Sequence, residues 1–222
     1  MKLWHFAPLL LLAGGCTDNS QAPVVDPKLQ DSYSSLAPNT PPATEEPLED
    51  PKFAEPKAGE EVAVISTKFG KIVFKFRPDK APKHKENFIS LANKGFYDKT
   101  IFHRIIPDFM IQGGDPETKD PKNVAAYGSG GPGYNVANEF NNLNHLRGVV
   151  SMARSQDVNS AGSQFYIVVK DSAHLNRNYT AFGEVVSGMD VADKIKDQPR
   201  NENDLPNERI EMTVKIQKWP VK

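Results

Sequence analysis

Two short runs hold the side chains with the most chemistry to offer. Phe102-His103-Arg104 and Phe109-Met110-Ile111-Gln112 stand on either side of Pro107-Asp108. If both runs are strands, alternation puts Phe102 and Arg104 on one face and turns His103 away. A turn at Pro107 returns the chain so that Phe109, Met110 and Gln112 approach that face. The product is an apolar depression edged by one guanidinium and one amide. Such a site can hold an apolar ring and aim a permanently charged, rigidly arrayed donor at it. The same pattern also fits core packing beside a salt-bridged arginine, and these residues alone do not separate the two.

Other chemistries find less support. No Gly-x-x-x-x-Gly-Lys-Ser/Thr phosphate loop is present, and Gly128-Ser129-Gly130-Gly131-Pro132-Gly133 carries a proline where a helix would have to begin, which fits a tight turn. The five histidines, at 5, 84, 103, 145 and 174, form no spaced metal-ligand pair. Ala161-Gly162-Ser163-Gln164-Phe165 lacks the second glycine of a nucleophile elbow. Neither metal nor cofactor is expected.

The elements that must position Arg104 read as mainly β. Val62–Thr67 and Ile72–Arg77 alternate as strands around a turn at Lys68–Lys71. Asp79 precedes a helix of about 14 residues, with Pro82 in its first turn, Phe88, Leu91 and Ala92 on one face, and Gly95 to stop it. Strand-like runs follow at Ile101–Ile106, Phe109–Gln112, Val149–Met152 and Phe165–Val169, then a short helix at Met189–Lys196. The last run, Ile210–Trp219, places Ile210, Met212, Val214 and Ile216 on one face. Many strands with two helices predict a barrel.

The net charge of −1 hides a division along the chain. Residues 17–60 hold nine acids against three lysines, together with eight prolines and no hydrophobic periodicity. That composition predicts a disordered, acidic, proline-rich tether. The remainder, 61–222, is mildly basic with scattered charge, so no nucleic-acid partner is expected. The single cysteine, Cys16, excludes an intramolecular disulfide. Lys2, the apolar run Leu3–Leu12 and Ala13-Gly14-Gly15 have the layout of a secretory signal. The apolar run is half the ~20 residues of a spanning helix. Ending at Cys16, this segment resembles a bacterial lipoprotein signal, in which the cysteine becomes the lipidated first residue. The alternative is an ordinary secretory signal and a secreted soluble product. The expected division is 1–15 signal peptide, 16–60 lipidated Cys16 plus tether, and 61–222 folded domain, anchored in a bacterial cell envelope. Thr17 stands where an inner-membrane retention aspartate would, which favours the outer membrane.

From Val62 to Trp219 the chain resembles the cyclophilin-type peptidyl-prolyl cis–trans isomerases. The resemblance rests on Asn87-Phe88, Gly95-Phe96-Tyr97-Asp98, the run 102–116, Val150-Ser151-Met152-Ala153, Gly162-Ser163-Gln164-Phe165-Tyr166-Ile167 and Ala181-Phe182-Gly183-Glu184-Val185-Val186. It implies a closed eight-stranded antiparallel β-barrel capped by two α-helices. It also implies rotation about X–Pro bonds in proline-containing polypeptides, with Arg104 catalytic and Phe109 and Gln112 beside it. Phe109, Met110, Phe165 and Leu175 then line the proline pocket, with Phe102 also among the substrate-binding residues; Gln112 and the backbone of Arg154 hold the substrate backbone, and Ala153, Ser155 and Gln164 form neighbouring walls with Tyr179 at the pocket edge. His174 stands where cyclosporin-sensitive members carry tryptophan, so low cyclosporin affinity is expected, as is a monomer. Amide rotation moves no proton, which makes His103 a poor candidate for a general base. A binding module or chaperone without turnover, and a structural envelope protein, are the competing readings.

Overall fold

The computed structural model describes residues 46–221. The expected signal peptide, Cys16 and the tether up to residue 45 lie outside the described residues. Eight strands form one antiparallel sheet: β1 (Glu61–Thr67), β2 (Gly70–Phe76), β3 (Phe102–Ile106), β4 (Met110–Gly113), β5 (Val149–Met152), β6 (Phe165–Val168), β7 (Ala181–Ser187) and β8 (Thr213–Lys218). Helix α1 (Pro82–Asn93) lies between β2 and β3, and α2 (Met189–Lys196) follows β7. The strand order β3-β4-β6-β5-β7-β2-β1-β8 leaves β3 and β8 as edges.

The sheet is therefore a curled half-barrel, open where the sequence predicts closure. The cause is the chain that reaches β8. Its Asn201–Asn207 stretch holds Pro206 and puts Asp204 at φ 61, so it cannot extend as a ladder strand. It covers the edge of β3 instead. Ile105 N–H donates to Asp204 C=O at 2.9 Å and Phe102 N–H to Ile210 C=O at 3.1 Å, and a single bridge joins Ile101 to Glu211. These contacts satisfy edge donors that would otherwise template another chain.

Alternation places the core. Ala63, Ile65, Ile72 and Phe74 enter the main core with Phe88, Leu91 and Ala92 of α1, the face expected for that helix. Phe88 stacks on Tyr97 at 4.8 Å and meets Phe74 edge-on at 5.3 Å. On the other face of β1, Val62 and Val64 pack with Val73 against Trp219 and Val221. Helix α1 opens at Pro82, where a missing N–H costs nothing. Its next two donors, Lys83 N–H and His84 N–H, go to the Glu139 carboxylate at 3.1 and 3.0 Å. Gly95, at φ 67, ends it as expected.

Residues 46–60, assigned to the tether by composition, pack on the domain as a strap. Glu49 pairs with Leu143 in a parallel bridge and reaches Arg77 at 2.9 Å and Lys80 at 2.7 Å. Phe53 N–H donates to the fully buried Glu184, which also binds Arg77 at 2.6 Å and Lys75 at 3.1 Å. The strap is held electrostatically: Glu49 finds Arg77 and Lys80, two cations that follow β2 and are largely covered.

Candidate active site

The β3–β4 hairpin turns at Pro107-Asp108, closed by Phe109 N–H donating to Ile106 C=O at 3.0 Å. Pairing slips between Phe102 and Arg104: Phe102 faces Gly113 and Arg104 faces Gln112. His103 is the extra residue of this bulge. Alternation therefore fails here. Phe102 is fully buried in the main core, Arg104 emerges with its side chain 45% exposed, and His103 lines the cavity beside Arg104 rather than pointing away.

The cavity holds about 600 Å³. Met110, Leu175 and Tyr166 form its apolar floor, with Phe109, Ala153 and Tyr179 packed at the rim. Arg104 and Gln112 line the same cavity, paired across the β3–β4 hairpin. Gln112 Nε2 donates to Gln164 Oε1 at 3.0 Å, and Gln164 Nε2 is held by the carbonyls of Gly128 and Gly130, both at 2.9 Å. The turn bearing those carbonyls is fixed by the buried Asp115, which accepts from Glu117 N–H at 2.8 Å and from Gly128 N–H. Arg154 lies over the Tyr179 ring at 4.6 Å and donates to Asn178 C=O, so its cation stiffens the opposite wall. Gln112, Gly128, Ala153 and Arg154 also line a second cavity of about 700 Å³, reached by Ser155 and Gln164.

Among the described residues the Arg104 guanidinium makes no hydrogen bond, and its ionic neighbour is Asp204, 3.8 Å from Nε. Its donors are unspent. Burial pushes the His103 imidazole below its ordinary pKa, against the pull of Asp115, and Nδ1 lacks a partner. Burial likewise raises the Tyr166 phenol. Both groups are neutral at pH 7 and poorly placed to exchange protons with a substrate. No three His, Cys, Asp or Glu side chains converge as a metal-ligand group among the described residues.

Of the residues singled out in the sequence, Arg104, Phe109, Met110, Gln112, Ala153, Arg154, Leu175 and Tyr179 meet at the first cavity, and Ser155 and Gln164 at the second. Phe102 and Phe165 do not line either. Phe165 is fully buried in the main core, 6.4 Å from the Phe102 ring, and its neighbour Tyr166 takes the cavity-facing place. His174 sits outside the floor, its ring 5.2 Å from Phe109. The sequence reading missed Val124, Tyr127, Asn201, Asn203 and Leu205 in the wall beyond Arg104. The Asn201–Leu205 loop comes from a segment about a hundred residues downstream and carries no motif; only its run of turn-forming residues hinted at a fixed loop.

Residues 62–221 match the family model described as cyclophilin type peptidyl-prolyl cis-trans isomerase/CLD. The chain is 43% identical over 153 residues to peptidyl-prolyl cis-trans isomerase A of Dickeya dadantii, covering 66% of this chain and 76% of that one. It is 42% identical over 151 residues to isomerase B of Escherichia coli K12, covering 61% and 84%. Among solved structures, a cyclophilin type isomerase of Cryptosporidium parvum, crystallised in the presence of the dipeptide Ala-Pro, superposes with a TM-score of 0.64 at 31% identity. That match covers 71% of this chain and 99% of the other.

Proposed function

The chain belongs to the cyclophilin-type peptidyl-prolyl cis–trans isomerases (EC 5.2.1.8), and from that premise we propose that Arg104 drives the rotation by stabilising the twisted prolyl amide. An X–Pro bond resists rotation because resonance gives its C–N bond partial double-bond character, with a barrier of ~18–20 kcal/mol. As the amide twists, the prolyl nitrogen becomes pyramidal and recovers its lone pair. A donor aimed at that nitrogen binds the twisted state better than the planar one, and only such a difference accelerates the step.

The observation that carries this reading is the placement of an unspent guanidinium in one cavity with the apolar floor of Met110, Leu175 and Tyr166. The floor of Met110, Leu175 and Tyr166 holds the ring while the carbonyl side turns. Gln112, fixed through Gln164 to a rigid turn, anchors the substrate backbone, and the apolar surroundings exclude water, which strengthens the arginine's contact. No proton moves, which suits a site whose His103 and Tyr166 are both held neutral.

A protease-coupled assay on an X–Pro peptide tests the reading. Arg104→Ala should cost about 100-fold or more in kcat/KM with its melting temperature retained. Arg104→Lys should recover part of it, because lysine keeps the charge and loses the fork. Wild-type turnover by Arg104→Ala would refute the assignment, and a wild type that binds proline peptides without turnover would make this a binding module. For its setting, we propose substrates among exported proteins and a lipid anchor on Cys16. Mature N-termini in wild type and Cys16→Ser that differ only by the sulfur-for-oxygen exchange would remove the anchor.

A further inference from the structure

Asp204 belongs to a loop built to hold it. Asn201 N–H donates to Leu205 C=O at 2.9 Å, and Asn201 Oδ1 accepts from Asn203 N–H and Leu205 N–H at 2.9 and 3.1 Å. Asp204 N–H returns to Asn201 C=O at 3.1 Å, and Asn207 N–H to Pro199 C=O at 2.9 Å. The left-handed backbone at Asp204, φ 61, is one that Asp and Asn tolerate better than most residues. The loop is then pinned to β3 by Ile105 N–H donating to Asp204 C=O, one residue past Arg104. The carboxylate lies between two cations: Oδ1 is 3.3 Å from Arg200 Nε and Oδ2 is 3.8 Å from Arg104 Nε.

We propose that Asp204 is a positioning residue for Arg104, steering the guanidinium toward the prolyl nitrogen from the Nε side. The proposal rests on the role given to Arg104 above. A side chain as long as arginine, half in solvent and without hydrogen bonds, samples many rotamers, and most of them aim its donors away from the floor. A fixed anion near Nε narrows that distribution. At 3.8 Å the pair attracts without consuming a donor, so the guanidinium stays oriented and available. Leu205, Asn201 and Asn203 of the same loop line the cavity, so the segment that supplies the anion also supplies the wall behind it. The bland alternative is a surface ion pair that only fastens the loop.

Asp204→Asn separates the two, because it removes the charge and keeps both shape and backbone preference. In the full chain, kcat should fall about threefold at low salt, the scale of an exposed ion pair, with KM little changed. Raising salt to ~1 M should bring the wild type down toward the variant, which itself should be insensitive. In an Arg104→Ala background, Asp204→Asn should change nothing further. Arg200→Gln loosens the same loop without touching Arg104, and its kcat should stay at the wild-type level. An unchanged kcat in Asp204→Asn, while Arg104→Ala is inactive, would overturn this inference and leave the arginine mechanism standing. Equal losses in Asp204→Asn and Arg200→Gln would also overturn it, assigning the effect to the loop. Full activity in Arg104→Ala would instead remove the mechanism itself.

Discussion

Lowering the pH from 7 toward 4 should weaken the domain through His145. Its side chain is buried between the Asn144–Asn176 loops and the sheet, 1% exposed, with Nδ1 3.2 Å from Asn176 Oδ1 and Nε2 3.2 Å from Ser151 Oγ. With the amide oxygen accepting, Nδ1 carries the proton and Nε2 accepts from the serine. A second proton would place an uncompensated charge beside the Tyr166 ring. Burial therefore depresses the pKa from 6.5 to about 4, against a smaller upward pull from Asn176. The unfolded chain takes up this proton near pH 6.5 and the folded one resists until about 4. In that window the unfolded state binds more protons, so stability rises with pH. The contribution is complete above pH 6.5 and is lost as pH falls through about 4. At ~1.36 kcal/mol per pH unit, the fall from 6.5 to about 4 amounts to about 3 kcal/mol. His84 and His103 are depressed by burial in the same direction and steepen the profile. Urea unfolding at a series of pH values measures the slope. His145→Gln should flatten it by up to one proton, ~1.4 kcal/mol per pH unit, whatever its offset at pH 7. An identical slope in the variant would refute the assignment to His145.

Phe88→Ala should cost about 3–5 kcal/mol by thermal unfolding, since the ring is fully buried among Phe74, Tyr97 and Phe165. Gly130→Ala should lower kcat/KM on the order of tenfold with a smaller effect on melting, because a Cβ there collides with Asp115 and displaces the carbonyl that holds Gln164.

Local periodicity made much of this domain legible. The two-residue alternation of β1 and β2 and the Phe88-Leu91-Ala92 stripe depend on near neighbours, and they fold as read. The cluster of Arg104, Phe109, Met110 and Gln112 was legible because one hairpin carries all four. What failed depended on distant partners. The bulge at His103 arises from pairing with β4; it brings His103 to the cavity and sends Phe102 into the core, while Arg104 reaches the cavity as expected. Sheet closure depended on Asn201–Asn207, whose turn chemistry diverts the chain across β3 before it can become a ladder. Residues 46–60 read as unstructured because their prolines and acids show no hydrophobic periodicity, and only the fold brings Arg77 and Lys80 within reach of Glu49.

That strap also defines a path for mechanical load. Tension applied to the chain ahead of Glu46 meets first the bonds that Arg177 and Asn142 Nδ2 donate to the Glu46 and Pro47 carbonyls, then the parallel bridge at Glu49, where Glu49 N–H and Asn144 N–H hold the strap to the 142–144 segment at 2.8 Å each. It then meets the Glu49 ion pairs with Arg77 and Lys80. Only after these yield does force reach Phe53 and Glu184, and through them β1 and β7. The β3–β4 hairpin, at the far edge of the strand order, joins that path only later, through β8 and the chain that borders β3. Pulling on the N-terminal chain therefore loads the strap, β1 and β7 before the hairpin that carries Arg104.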